Sequence, residues 1–399
     1  MNINPLLVGT TAPPIPEAKS WAARYDGAAG PLIDLSQAVP GYSPHPELLR
    51  RLGVAASTRE SASYGDIAGD PDLRAAYAEH VSAIYGASVA AGNVAITAGC
   101  NQAFFVALIA LARAGDAVLL PSPWYFNHRM TLDMLGIEAV PLPCRARSGF
   151  VPEVEDARPL IHPRVRAIVL VTPNNPTGAI YPPATIAAFQ ALAAEHGIAL
   201  VLDETYRDFI GPGLSRPHGA FTAADWEDRF VQLYSFSKSY CIPGQRAGAL
   251  IAGVGFVEQI AKILDCLQIC APRTPQLALP WAIPALADWR AEKRGEILAR
   301  AEAFRTAAGR IEGWRIASLG AYFAYFEHPY HGRSGNQVCE WLAREFGVLC
   351  LPGSYFGPEQ ERFVRVAFAN VDAAQIRAIP ERLRLGAAAT DAWIEKSPR

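Results

Sequence analysis

The stretch RAIVLVTPNNPTGAIYPPATIAAFQALAAEHGIALVLDETY, Arg166 to Tyr206, holds one complete strand-helix-strand unit. "RAIVLVTP" (166–173) and "IALVLDE" (198–204) are short continuous apolar runs rich in branched residues, the pattern of strands covered on both faces. Between them "PPATIAAFQALAAEHG" starts with prolines and stops at a glycine, as helices do. Strands separated by a helix belong to an alternating α/β layout with a mainly parallel sheet. Five more runs extend the pattern: "NVAITAG" (93–99), "AVLLPSP" (117–123), "IEAVPLP" (137–143), "FVQLYSFS" (230–237) and "AGALIAG" (247–253). A helix, "NQAFFVALIALARAG", opens after Gly99. The expected fold is therefore α/β, with a seven-stranded mainly parallel sheet sandwiched by helices.

The texture changes beyond about residue 285. An Arg/Glu-rich amphipathic helix from Trp289 to Arg310 precedes short strands around "GAYFAYFE" and "FVRVAFAN". This predicts a smaller α+β domain built from the N- and C-terminal segments, residues 1–44 and 285–399, around a large domain at 45–284. The proline-rich "APRTPQLALPWAIP" (271–284) is expected to lie between the two parts. A chain of 399 residues suits two domains.

The net charge of -2 comes from charged residues spread without blocks of like sign, so nucleic acid and anionic membrane are poor partners. The first twenty residues contain neither a basic nor an apolar leader region, and no apolar run is long enough to span a bilayer. Seven cysteines form no C-x-x-C pair, which predicts buried free thiols, no metal site and a cytoplasmic protein.

Ligands of open parallel sheets bind beyond the carboxyl ends of the strands, and the conspicuous polar residues of this chain fall there. Asp203 closes "ALVLD", Asn175 stands in "TPNNPTG", and "TAGCN" passes from strand to helix, where backbone N–H groups point at an anion. Lys238 follows "FVQLYSFS", with Ser235, Ser237 and Arg246 nearby. The chain has 36 basic residues and only five are lysines: Lys19, Lys238, Lys262, Lys293 and Lys396. A lysine where arginine is the habit suggests chemistry that needs an amine.

Each residue also has a plain structural reading. Asp203 suits a cap, "NNPTG" a turn, Lys238 a solvated surface, Arg246 an ion pair, and Tyr125 and Tyr206 a core. Together they suit a phosphorylated aromatic aldehyde. Its tail would dock on the anion nest, serines and Arg246, Asp203 would hold the ring nitrogen protonated, and Lys238 would supply the condensing amine. A guanidinium stays protonated and cannot do this.

In this order the motifs resemble the class I/II aminotransferases, fold-type I pyridoxal-phosphate enzymes of the aspartate aminotransferase superfamily, over most of the chain. "SYGDIAGDPDLR" resembles the segment whose tyrosine, here Tyr64, reaches the cofactor phosphate of a neighbouring subunit. "TAGCNQA" resembles the phosphate-binding turn, implicating Ala98, Gly99 and Cys100, and "PSPWYFNH" would set Tyr125 against the pyridine ring. The resemblance implies Asn175 and Tyr206 on the ring hydroxyl, Asp203 on the ring nitrogen, and Ser235, Ser237 and Arg246 on the phosphate. Lys238 becomes the lysine that binds the cofactor. "FVRVAF" resembles the motif whose arginine, Arg365, clamps the substrate carboxylate. "LSQAVP" resembles the segment closing over the substrate, with Ala38 where glycine is usual.

The activity so implied is ping-pong transamination between an L-amino acid and a 2-oxo acid, by a homodimer with shared active sites. Lys238, once displaced by the substrate amine, would take the Cα proton. Relatives that take dicarboxylates place a partner's arginine near the position of "LQICAPRTPQ". Ile269 falls at or near that position and Arg273 is the one cation of the segment, which favours neutral or aromatic side chains. Trp124, Tyr125, Tyr322 and Phe323 supply aromatic surface, while Arg273 keeps an acidic substrate open. Other pyridoxal-phosphate reactions on the same scaffold are the alternative: a C–S β-lyase, a condensing enzyme or an amino-acid oxidase. A regulator that borrowed the domain would need a DNA-binding module, for which the chain carries no basic patch.

Overall fold

The computed structural model of the protein describes residues 1–213 and 216–388. Residues 389–399, the end of the expected C-terminal part, and Lys396 with them, lie outside the described residues.

The apolar runs all become strands of one sheet: β1 (Val94–Thr97), β2 (Ala117–Ser122), β3 (Glu138–Pro143), β4 (Val165–Val171), β5 (Ala199–Asp203), β6 (Phe230–Ser235) and β7 (Gly248–Ile251). They form a seven-stranded sheet in the order β1-β7-β6-β5-β4-β2-β3. The sheet is parallel except at β7, which runs antiparallel to both its neighbours. Alternate side chains serve opposite faces: Ala167 and Val169 pack with helices α1 (Cys100–Leu111) and α3 (Val254–Gln268), while Ile168 and Leu170 pack with α2 (Pro183–His196). A sheet buried on both sides needs this apolar continuity, which is why its strands stood out in the sequence. Helix α2 carries Pro183 in its first turn, and Gly197 ends it with a left-handed φ of 65°.

A second sheet of four antiparallel strands forms from the C-terminal part: β8 (Arg315–Gly320), β9 (Phe323–Glu327), β10 (Leu351–Pro352) and β11 (Phe363–Ala367), in the order β10-β11-β9-β8. The N-terminal segment joins it. Ile33–Asp34 pairs in parallel with Val348–Leu349, and Leu35 O accepts from Ala367 N at 2.9 Å. N- and C-terminal segments thus build the smaller α+β part together, as expected.

The proline-rich stretch 271–284 forms helix α4 (Arg273–Ala285), with Pro280 and Pro284 inside. Its buried face (Gln276, Ala278, Leu279, Ala282, Ile283) packs on the helices Pro46–Ala56 and Pro71–Tyr85, and that burial outweighs the poor helix propensity of proline. One expectation needs correction: the cysteines are not all buried. All are free, but Cys266 is exposed on α3 and Cys270 is half-buried, since both follow the sheet-covering part of that helix.

Candidate active site

The carboxyl ends of β1, β2, β4, β5 and β6 converge on one edge of the large sheet, and the antiparallel β7 begins there. A cleft at that edge is lined by Cys100, Asn101, Tyr125, Asn175, Asp203, Thr205, Tyr206, Ser235, Ser237, Lys238 and Arg246, together with Val171 and Pro243. Ten of the residues singled out from sequence therefore meet in one place.

Lys238 sits in the short helix Phe236–Ser239 that follows β6, whose start is capped by Ser235 Oγ accepting from Ser237 N at 3.2 Å. Its Nζ donates to Ala38 O at 2.5 Å, so the N-terminal segment closes directly over the amine. Burial, then the nearby Arg246 and Arg365 charges, push the Lys238 pKa down to about 8.

Asp203 is buried at the end of β5. Burial opposes its charge. His128 Nε2 at 3.3 Å, with hydrogen bonds from Thr205 N (2.9 Å) and Thr205 Oγ1 (2.7 Å), outweighs burial and keeps the carboxyl below the usual range. The site thus holds a carboxylate, as a protonated ring nitrogen would require. His128 is fixed in turn by stacking on Phe104 at 3.9 Å.

Asn174 builds the turn after β4, its Oδ1 accepting from Thr177 N and Oγ1, which leaves Asn175 to face the cleft. Gly178 in that turn has φ 75°, and a Cβ there would lie 2.5 Å from Phe323 O. Only glycine lets the small sheet approach so closely. The contact helps to bring Arg365 of β11 to Asn175 Oδ1, at 3.2 Å, and to Ser36 O. Arg365 is 2% exposed, between the rings of Phe323 and Phe356, and burial pushes its pKa down to about 10. Tyr206 is buried against Tyr322 and Phe323.

The chain matches the family "Aminotransferase class I and II" over residues 30–383. It belongs to the class I and II aminotransferases. It is 30% identical over 371 residues to the valine–pyruvate aminotransferase of Mycobacterium tuberculosis, covering 90% of this chain and 92% of that one. It is 26% identical over 386 residues to the aromatic aminotransferase ISS1 of Arabidopsis thaliana, covering 95% and 94%. Among solved structures, a Thermus thermophilus aspartate aminotransferase mutant shares the fold with a TM-score of 0.88 at 23% identity, over 96% of this chain and 99% of that one. The chain is thus a pyridoxal-phosphate-dependent enzyme.

The aminotransferase cleft fits this cofactor. Ser237 Oγ is buried without a partner, an orphaned hydroxyl where a phosphate would be received. Gly99, φ 87°, lets the Arg246 guanidinium lie against the turn, in space that a Cβ would otherwise take. Arg246 itself reaches Ala98 O at 3.1 Å. The Ala98 N–H is held by Gln102 Oε1 (2.6 Å) and the Gly99 N–H by Thr97 O (2.8 Å). The N–H groups left free by helix geometry are those of Cys100 and Asn101 in the first turn of α1.

Tyr64 is the one anticipated residue that stands apart, 77% exposed, and Arg273 is likewise outside the cleft, paired with Asp70 (3.1 Å) and Glu60 (3.3 Å). His128 and Thr205 went unnoticed in the sequence. His128 stands three residues after Tyr125 at the start of a helix, a spacing that puts both on one face, and this was the available signal. Among the described residues no helix is long and apolar enough to cross a membrane, and no cluster of three or more His, Cys, Asp or Glu side chains could hold a metal.

Proposed function

We propose that this aminotransferase moves the amino group of an L-amino acid with a neutral or aromatic side chain to a 2-oxo acid, with Lys238 as its reactive amine. The observation that carries the substrate class is the use of the cations. Lys238, Arg246 and Arg365 are those at the cleft among the described residues, and Arg273 is already paired with two carboxylates. None is left for a distal carboxylate. Relatives named for aromatic substrates and for valine with pyruvate support the same reading.

When bound, pyridoxal phosphate supplies an aldehyde that holds the substrate nitrogen and a ring that takes up the electron pair released at Cα. Ser235, Ser237, Arg246 and the Cys100 and Asn101 amides would hold its phosphate, Asp203 its ring nitrogen, Asn175 and Tyr206 its hydroxyl, and Tyr125 its face. Arg365 binds the substrate carboxylate as a fork and fixes how the Cα–H bond points. Lys238 Nζ, once free and neutral, takes the Cα proton. The Ala38 carbonyl on Nζ marks where the N-terminal segment shuts out water. Tyr64 would act in the site of a second copy, in a homodimer.

An amino-acid panel added to the holoenzyme, followed by cofactor absorbance and 2-oxo acid release, tests this reading. Neutral and aromatic substrates should react at least about tenfold faster than aspartate. Faster aspartate turnover overturns the substrate class. Lys238→Ala and Lys238→Arg should both lose the visible band of the bound cofactor, and a variant that keeps it unchanged rules out Lys238 as the amine.

A further inference from the structure

Behind the cleft lies a polar cluster that the reaction chemistry does not use. Asp208 stands in the short turn Arg207–Phe209, just after Tyr206. Its Oδ2 accepts from Ser239 Oγ at 2.5 Å and from Tyr234 OH at 2.6 Å, and the two hydroxyls are themselves 3.1 Å apart. Its Oδ1 faces Arg290 Nη1 of α5 (Ala287–Ala308) at 3.4 Å. Tyr234 and Ser239 are almost wholly buried, and they bracket Lys238 in the chain, four residues before it and one after.

We propose that Asp208 is a positioning residue, whose carboxylate locks the Lys238 turn in place and ties it to helix α5 through Arg290. One acceptor atom receives both hydroxyls, so the end of β6 and the last residue of the lysine's helix cannot shift independently. The turn needs such an anchor. Its helix has only four residues, too few to be rigid alone, and Cys241 just beyond adopts a left-handed φ of 56°. Lys238 Nζ has Ala38 O as its polar partner. The amine's location then depends on the backbone that carries it. Charge stabilises the arrangement: burial opposes the Asp208 carboxylate, but Arg207, Arg290 and the two hydroxyl donors outweigh it and hold its pKa well below the usual range. Arg207 also covers the Tyr234 ring at 4.4 Å. A proton transfer depends steeply on donor-acceptor placement, so an anchor remote from the substrate still governs rate.

This rests on Lys238 being the reactive amine. The test therefore uses wild type, Lys238→Ala, Asp208→Asn and Ser239→Ala as holoenzymes. Asp208→Asn and Ser239→Ala are expected to bind cofactor and lower kcat by about ten- to a hundredfold with KM within about twofold. The isotope effect of Cα-deuterated substrate should rise in both, and the visible circular dichroism of the bound cofactor should change. Ser239→Ala removes one hydroxyl from a small side chain, so it reports even where Asp208→Asn folds poorly. Unchanged isotope effect and dichroism in Ser239→Ala, or kcat falling only in step with the folded fraction, overturns the positioning role. A Lys238→Ala enzyme that keeps the wild-type band instead overturns the reading of Lys238, which separates the two failures.

Discussion

Lys238 shows how much one residue type can reveal and what its surroundings must add. A free lysine of pKa about 10.4 is neutral at pH 7 in fewer than about one molecule in a thousand. At about 8 the fraction is roughly one in ten, a gain of more than a hundredfold in reactive amine. The sign follows from the causes: burial and the Arg246 and Arg365 cations all disfavour the ammonium, so the amine is free above about pH 8. In cofactor-free enzyme, the rate of aldehyde modification at Lys238, read by mass spectrometry, should rise with a midpoint near pH 8. Arg246→Gln removes a cation and should move that midpoint upward. A midpoint at the free-lysine value in wild type would show that the site does not tune the amine. The scarcity of lysine in the sequence marked the residue, and Arg246 stands close enough along the chain to suggest part of the tuning, but the Arg365 contribution has no local sequence signal.

At the scale of elements, the junction between β1 and α1 carries most of the consequence. Gly99 has φ 87° and ψ 168°, a region open almost only to glycine, and Arg246 fills the space its Cβ would take. Gly99→Ala should cost about 1–3 kcal/mol of stability from backbone strain, and displace Arg246. Cofactor affinity, followed by absorbance titration, should fall about tenfold or more while the far-UV spectrum stays native. Unchanged affinity would place the phosphate elsewhere. Strands were readable because a sheet covered on both faces leaves unbroken apolar runs. Helix α4 was not readable, because Pro280 and Pro284 signal a break and only packing on two neighbouring helices overrides them.

For the whole molecule, the exposed surface argues for a second copy. Tyr64 is joined on the surface by Ile67, Leu267 and Ile269, and their segments touch, with Gly65 N donating to Cys270 Sγ at 3.4 Å. Ile269, β-branched, holds φ 63° while exposed, a cost that contact with a partner would offset. If Tyr64 serves a neighbour's site, Tyr64→Ala and Lys238→Ala chains should be weak alone yet complement each other when refolded together. A hybrid pair contains one intact site, so an equal mixture should recover about a quarter of wild-type activity. Absence of complementation, or a fully active monomer in sedimentation, would overturn the shared site.

The sequence by itself determined the strands, the order of the cofactor motifs and the need for an amine, since each depends on residues close along the chain. Tertiary structure alone decided the contacts across distance. Arg365 meets Asn175 from 190 residues away and Lys238 meets Ala38 from 200. His128 came to Asp203 in the same way. Those meetings depend on strand order and on where side chains point once two sheets are packed, and no local run of residues encodes that geometry.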